Sequence, residues 1–175
     1  MGAAERPVRI TRVTTRYVPV EDRLRLEAEL EGGARLGFWL TQRLAREVVK
    51  TLVAHVERQG LKRRVVPPEA RDEVQRQLHA AARARRARTP PVAEAPESVL
   101  LDRVRIRATD RQVQLFLPLP EGRVGVLAMG PDHARQWLDI LFHQYRAAGW
   151  PLDVWPTWIR PEKSPARSAA GERLH

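Results

Sequence analysis

Residues Leu24 to Gly60 read LRLEAELEGGARLGFWLTQRLAREVVKTLVAHVERQG, and 89 positions later, from Val113 to Gly149, the chain reads VQLFLPLPEGRVGVLAMGPDHARQWLDILFHQYRAAG. Laid together without a gap, Leu24 falls on Val113, Leu26 on Leu115, Leu30 on Leu119 and Gly33 on Gly122. Further along, Ala45 falls on Ala134, Arg46 on Arg135, Leu52 on Leu141, Val56 on Tyr145 and Gly60 on Gly149. Self-similarity at a fixed period is the mark of a repeated structural unit.

Each copy has one local reading. Alternation at Leu24, Leu26, Ala28 and Leu30, and at Val113, Leu115, Leu117 and Leu119, predicts a half-buried strand in each. Turns at Gly32–Gly33 and Glu121–Gly122 return the chain into a further strand. Helices follow over about 41–59 and 131–148, with Thr41 as a cap, Pro131 and Asp132 in a first turn, and Gly60 and Gly149 where helices end. Their apolar stripes fall at 45, 49, 52, 53, 56 and at 134, 138, 141, 142, 145. A first strand at about 8–19 and another at about 99–108 complete the units. Val48 is matched by Trp137, which predicts an additional contact for the second helix.

The expected fold is therefore α+β, two tandem β-β-β-α repeats packed as an intramolecular pseudo-dimer, because three strands and one helix leave open edges and little core. The repeats span 1–60 and 99–160. Between them, residues 61–98 form a basic linker. A helix over about 69–88 carries a thin stripe of Ala70, Val74, Leu78 and Ala81 and is expected to pack weakly, and TPPVAEAPES after it is expected to be extended and mobile. GWPLDVWPTWIRP, from Gly149 to Pro161, interleaves Trp150, Trp155 and Trp158 with prolines and reads as an extended strap. Residues 161–175 carry no apolar periodicity and read as a disordered tail.

The formal net charge is +10, and its densest part is the linker. Such a balance points to acidic partners. However, only three of the 31 basic residues are lysine and asparagine is absent, the codon habit of a GC-rich genome. With no cysteine there is no disulfide, thiol nucleophile or thiolate metal site. No apolar run reaches the roughly 20 residues of a spanning helix, and the expected setting is the cytoplasm, away from the membrane.

The residues Glu21 to Leu26, EDRLRL, followed by Phe38 to Arg43, FWLTQR, resemble the signature of an uncharacterised family of small proteobacterial proteins, over about residues 8–150. The resemblance implies no activity. It does imply that Asp22, Arg23, Trp39, Thr41 and Arg43 belong to a shared scaffold. In the second copy Arg111, Gln112, Ala128, Gly130 and Asp132 stand at those places, so no symmetric pair of sites is expected.

Catalytic chemistry finds no anchor. The five histidines have no metal-ligand spacing, serine occurs only at 98, 164 and 168, and Gly32–Gly33 precedes a strand, which no phosphate loop does. Glu21 with Asp22 reads as a turn. The expectation is a non-catalytic binding module with no cofactor and no metal.

Three groups are candidates for binding. The outer face of the second sheet would show Arg103, Arg105, Arg107, Gln112, Gln114, Phe116 and Arg123, a cationic platform with one aromatic. Arg23, Arg25, Glu27, Glu29 and Arg35 on the first are nearly charge-balanced. Arg83, Arg85, Arg86 and Arg88 end the linker helix, and the strap tryptophans read first as a cover for the core and second, where exposed, as a docking surface of hot-spot composition. A protein–protein adaptor or scaffold component is the leading reading, its partner another protein, acidic in character. A single-stranded nucleic-acid binder using arginine and stacking is the alternative. Monomer and homo-oligomer both fit.

Overall fold

The protein is described over residues 7–161 by a computed structural model; the disordered tail expected beyond Pro161 lies outside the described residues. The fold is α+β. In chain order it comprises β1 (Pro7–Val18), β2 (Arg23–Leu30), β3 (Arg35–Leu40), α1 (Gln42–Leu61), α2 (Arg71–Ala84), β4 (Ser98–Leu100), β5 (Arg105–Ala108), β6 (Val113–Pro118), β7 (Val124–Met129) and α3 (Pro131–Ala148).

The strands form one mixed sheet in the order β4-β3-β2-β1-β7-β6-β5. Two antiparallel meanders, β1-β2-β3 and β5-β6-β7, meet where β1 runs parallel to β7, with Pro7 on Val124 and Arg9 on Val126. The hairpins β2-β3 and β6-β7 have the same register: Leu24 pairs with Leu40 and Ala28 with Leu36, as Val113 pairs with Met129 and Leu117 with Gly125. Their turns close in matching fashion, Leu30 N–H donating to Ala34 O at 2.7 Å and Leu119 N–H to Arg123 O at 3.0 Å. Gly33 and Gly122 hold left-handed φ in those turns, at 90° and 68°.

The sheet must curl. β4 and β5 are its two edges, yet only residues 101–104 join them, and those five Cα–Cα steps reach about 17 Å at most. Seven strands laid flat would be about 29 Å wide. Leu101, 2% exposed, fills the seam. This corrects the single strand expected at 99–108. Its first residues extend the opposite meander as a parallel partner of β3, and only Arg105–Ala108 pair with β6.

The apolar faces of both meanders pack on α1 and α3 in one core. Thr41 caps α1, its hydroxyl accepting from Leu44 N–H at 3.3 Å. Gly149 ends α3 with φ of 65°. Gly60, expected at a helix end, lies within the last turn of α1 for a different reason. A Cβ there would come within 2.8 Å of Gln75 Oε1 and 2.9 Å of Arg135 Nη2. Trp137 makes the expected additional contact: its indole N–H donates to Thr15 Oγ1 on β1 at 3.0 Å.

Three linker expectations are corrected. α2 is docked, burying Gln75, His79 and Ala82, a stripe one residue past the one expected. Arg135 of α3 secures it, donating to Val56 O at 3.0 Å, Gln75 O at 3.3 Å and the Gln75 side chain. Burial pushes the Arg135 guanidinium down to about 10, still protonated at neutral pH. Finally, residues 90–97 are extended but fixed, lying across the outer face of β1-β2-β3 with Val92 and Ala95 each 6% exposed.

Candidate binding surface

The outer face of the first meander is built as a second small core. Arg25 and Glu27 alternate with inward-facing leucines on β2, so both point away from the helices. They are nevertheless 4% and 2% exposed. Arg25 Nε donates to Glu27 Oε1 at 2.7 Å, and its Cζ lies 4.8 Å from the centre of the Trp39 ring. Gly37, opposite Glu27, leaves the space: a Cβ there would overlap the Arg25 guanidinium. Residues 90–97 close the face. Ala95 N–H donates to Glu27 Oε2 at 3.0 Å, Val92 N–H to Thr14 Oγ1 at 2.8 Å, and Gly37 N–H to Glu97 O at 2.9 Å. Arg12 and Arg35 donate to Pro90 O and Glu94 O. The nearly charge-balanced face expected on the first copy is in this central part an interior.

The matching face of the second meander is open. Where the first carries Arg25, Glu27, Gly37 and Trp39, the second carries Gln114, Phe116, Val126 and Ala128 at the same register. These four, with Arg107 and with Pro7, Arg9 and Glu31 from the first meander, line an open hollow of about 480 Å³. One row of cross-strand partners runs Arg9, Val126, Phe116, Arg105, and its first three members line the hollow. Arg105 Cζ stands 4.6 Å over the Phe116 ring. The centre of the row is apolar and both ends are cationic.

Of the residues expected on this platform, Arg105, Arg107, Gln114 and Phe116 come together. The others do not join them on the strands. Arg103 precedes β5, Gln112 belongs to the turn in which its carbonyl accepts from Thr109 N–H at 2.9 Å, and Arg123 lies exposed at the β6–β7 turn. Pro7, Arg9, Glu31, Val126 and Ala128 were not anticipated. β1 brings the first two through its parallel pairing with β7, which no turn signal announces.

The linker arginines serve the docking of α2. Arg83 and Arg86 reach Asp139 of α3 at 3.2 and 3.4 Å, and Arg85 reaches Asp132 at 2.9 Å; Arg88 is exposed. Burial raises the Asp139 pKa, but the His79 contact and the Arg83 and His143 charges outweigh it and hold the carboxyl below its ordinary value.

The tryptophans cover the core, the first of their two readings, and none of the three lies exposed as a docking surface. Trp150, Trp155 and Trp158 are 6%, 2% and 2% exposed. Trp150 packs edge-on to Tyr145 and Tyr17, Trp155 to Phe142 and Tyr145, and Trp158 to His79. The Trp150 indole donates to Asp22 Oδ1 at 3.0 Å, where Tyr17 O–H also donates, and Trp158 donates to Glu57 at 2.9 Å. Asp22 therefore pins the strap to the first hairpin, and its carboxyl is held below the usual range by the Trp150 and Tyr17 hydrogen bonds.

No helix among the described residues is long and apolar enough to cross a membrane, and no group of three or more His, Asp or Glu among them could hold a metal ion. No family model, no curated protein and no solved structure matches the chain.

Proposed function

We propose that the protein is a non-catalytic binding module, a cytoplasmic protein–protein adaptor whose docking surface is the outer face of β5-β6-β7 with the start of β1. In this reading the chain is two β-β-β-α repeats joined as an intramolecular pseudo-dimer, supported by the common register and turn bonding of the two hairpins. One observation carries the function. The same face of the first repeat is covered by a length of polypeptide, residues 90–97, and the second repeat has no such cover among the described residues. An apolar centre of Phe116 and Val126 within an arginine rim also has the composition of a protein-binding hot spot.

Single-stranded nucleic acid is the second reading, favoured by the stacking of Arg105 on Phe116, since cationic aromatic faces serve that purpose too. A photo-crosslinking amino acid in place of Phe116, used in the cells that make the protein, decides between them. The adaptor reading expects adducts that protease digests and nuclease leaves intact. Adducts removed by nuclease establish the second reading, and no adduct above that of an equivalent probe at exposed Arg58 refutes both.

A further inference from the structure

We propose, resting on the docking face above, that residues 1–6 of this chain lie across the hollow as an intramolecular cover, and that a partner reaches Phe116 and Val126 by displacing them.

The period of 89 that aligns the two hairpins also aligns the strands that enter them. Arg9 pairs in parallel with Val126 of β7. Ser98, 89 positions after Arg9, pairs in parallel with Gly37 of β3, the counterpart of Val126. Continued towards the N-terminus, the same spacing sets Ala4-Glu5-Arg6-Pro7 on Ala93-Glu94-Ala95-Pro96, with alanine, glutamate and proline identical. Residues 90–95 belong to the cover of the first face and lead into the parallel pairing with β3. Residues 1–6 hold the corresponding place in the chain, and the residue that follows them, Pro7, already lines the hollow. Six extended residues reach about 20 Å, against about 14 Å for the three interstrand intervals from β1 to β5.

The receiving groups correspond as well. Glu94 of the first cover stands 3.9 Å from Arg16, which pairs with Arg25 on β2. Arg107 pairs with Gln114, the counterpart of Arg25, so it holds the place of Arg16 and faces Glu5 in the second cover. Arg16 and Ser98 stay exposed at the margin of the first cover, and a second cover of the same course leaves Arg107 and Arg9 exposed too. Two differences make the second cover the weaker one. Phe116 stands in place of Glu27, whose carboxylate accepts from Ala95 N–H, and Arg6 stands in place of Ala95, a small side chain buried on the first face. Losing a charge-assisted hydrogen bond leaves a segment that a competing chain can lift.

The chain has no cysteine, so single pairs can be introduced cleanly. Glu5→Cys/Arg107→Cys is oxidised with diamide beside Glu5→Cys/Arg146→Cys, whose second site is exposed on α3, across the sheet from the hollow. The proposal expects the first pair to close within one chain about tenfold or more faster than the second, through its higher effective concentration. Equal rates, or disulfides formed only between chains, overturn the cover. A second measurement places the crosslinking amino acid at position 116 in chains with and without residues 2–6. Adducts should rise about threefold or more without them, because the partner no longer competes with a tethered segment. Equal adduct yields from the two chains overturn displacement while keeping the docking face. Fast closure of the Glu5→Cys/Arg107→Cys pair with no adduct from either chain keeps the cover and refutes the docking reading.

Discussion

Glu27 and Phe116 hold the same place in the two hairpins, the one paired with Gly37 and the other with Val126. Glu27 is buried beneath residues 90–97, with Arg25 on one carboxylate oxygen and Ala95 N–H on the other. Phe116 lies half-buried on the floor of an open hollow. One backbone frame thus presents a closed polar face in its first half and an open apolar one with a cationic rim in its second.

The closed face makes Gly37 and Arg25 interdependent. Gly37→Ala would drive a methyl into the buried guanidinium, and overpacking of this kind costs about 1–3 kcal/mol. Arg25→Met/Gly37→Ala should lose less than the sum of the two single variants, because methionine can yield where a paired guanidinium cannot. Urea titration of the four proteins measures the coupling. Strict additivity would mean that Arg25 moves away at no cost.

Gly60→Ala sets two effects of opposite sign against each other. In an exposed helix interior alanine stabilises by about 1 kcal/mol over glycine. Here the new methyl meets Gln75, Arg135 and Leu78 within 2.9 Å. The expected result is a net loss of stability, accompanied by faster hydrogen exchange in α2. A gain would mean that α2 does not rest on α1 as described.

His55 predicts a pH dependence. It is 1% exposed, and burial, followed by the charge of Arg58, lowers its pKa from the ordinary 6.5. A histidine whose folded value lies below its unfolded one leaves stability intact above the unfolded pKa and removes it as pH falls from there towards the folded value. The thermal midpoint should drop on acidification below about pH 6.5. In His55→Leu that slope should flatten, and an unchanged slope would place its cause elsewhere.

Trp158→Ala should be among the most damaging single substitutions outside the two main helices, costing about 3–5 kcal/mol. Its ring touches His79 of α2 and lies under the Arg135 guanidinium at 5.2 Å, so the strap and the linker helix should loosen together. Calorimetry with hydrogen exchange reads both. A loss confined to residues 149–161 would show that α2 is held without the Trp158 ring.

These relationships were unequally legible in the sequence. The hairpin register of Leu24 and Val113 was readable, since alternation and paired glycines leave little choice of pairing. The docking of α2 was not, because its buried face is made of Gln75 and His79, polar residues that a hydrophobic stripe cannot reveal. TPPVAEAPES read as mobile because nothing in it signals Glu27 as a partner 68 residues away. Two residues of the hollow were missed for a related reason: Pro7 and Arg9 arrive by a parallel strand pairing between residues 117 positions apart. The tryptophans were visible, but only the arrangement of Tyr17, Phe142 and Tyr145 around them decides that they are core.

The contrast between a closed first face and an open second one is most directly tested by arginine-selective labelling with phenylglyoxal, read at each residue by mass spectrometry. Arg25 should stay unmodified in the folded chain while Arg9 and Arg107 react at rates like that of exposed Arg58. Rapid modification of Arg25, or Arg9 and Arg107 as inert as Arg25 with no ligand present, would contradict the account.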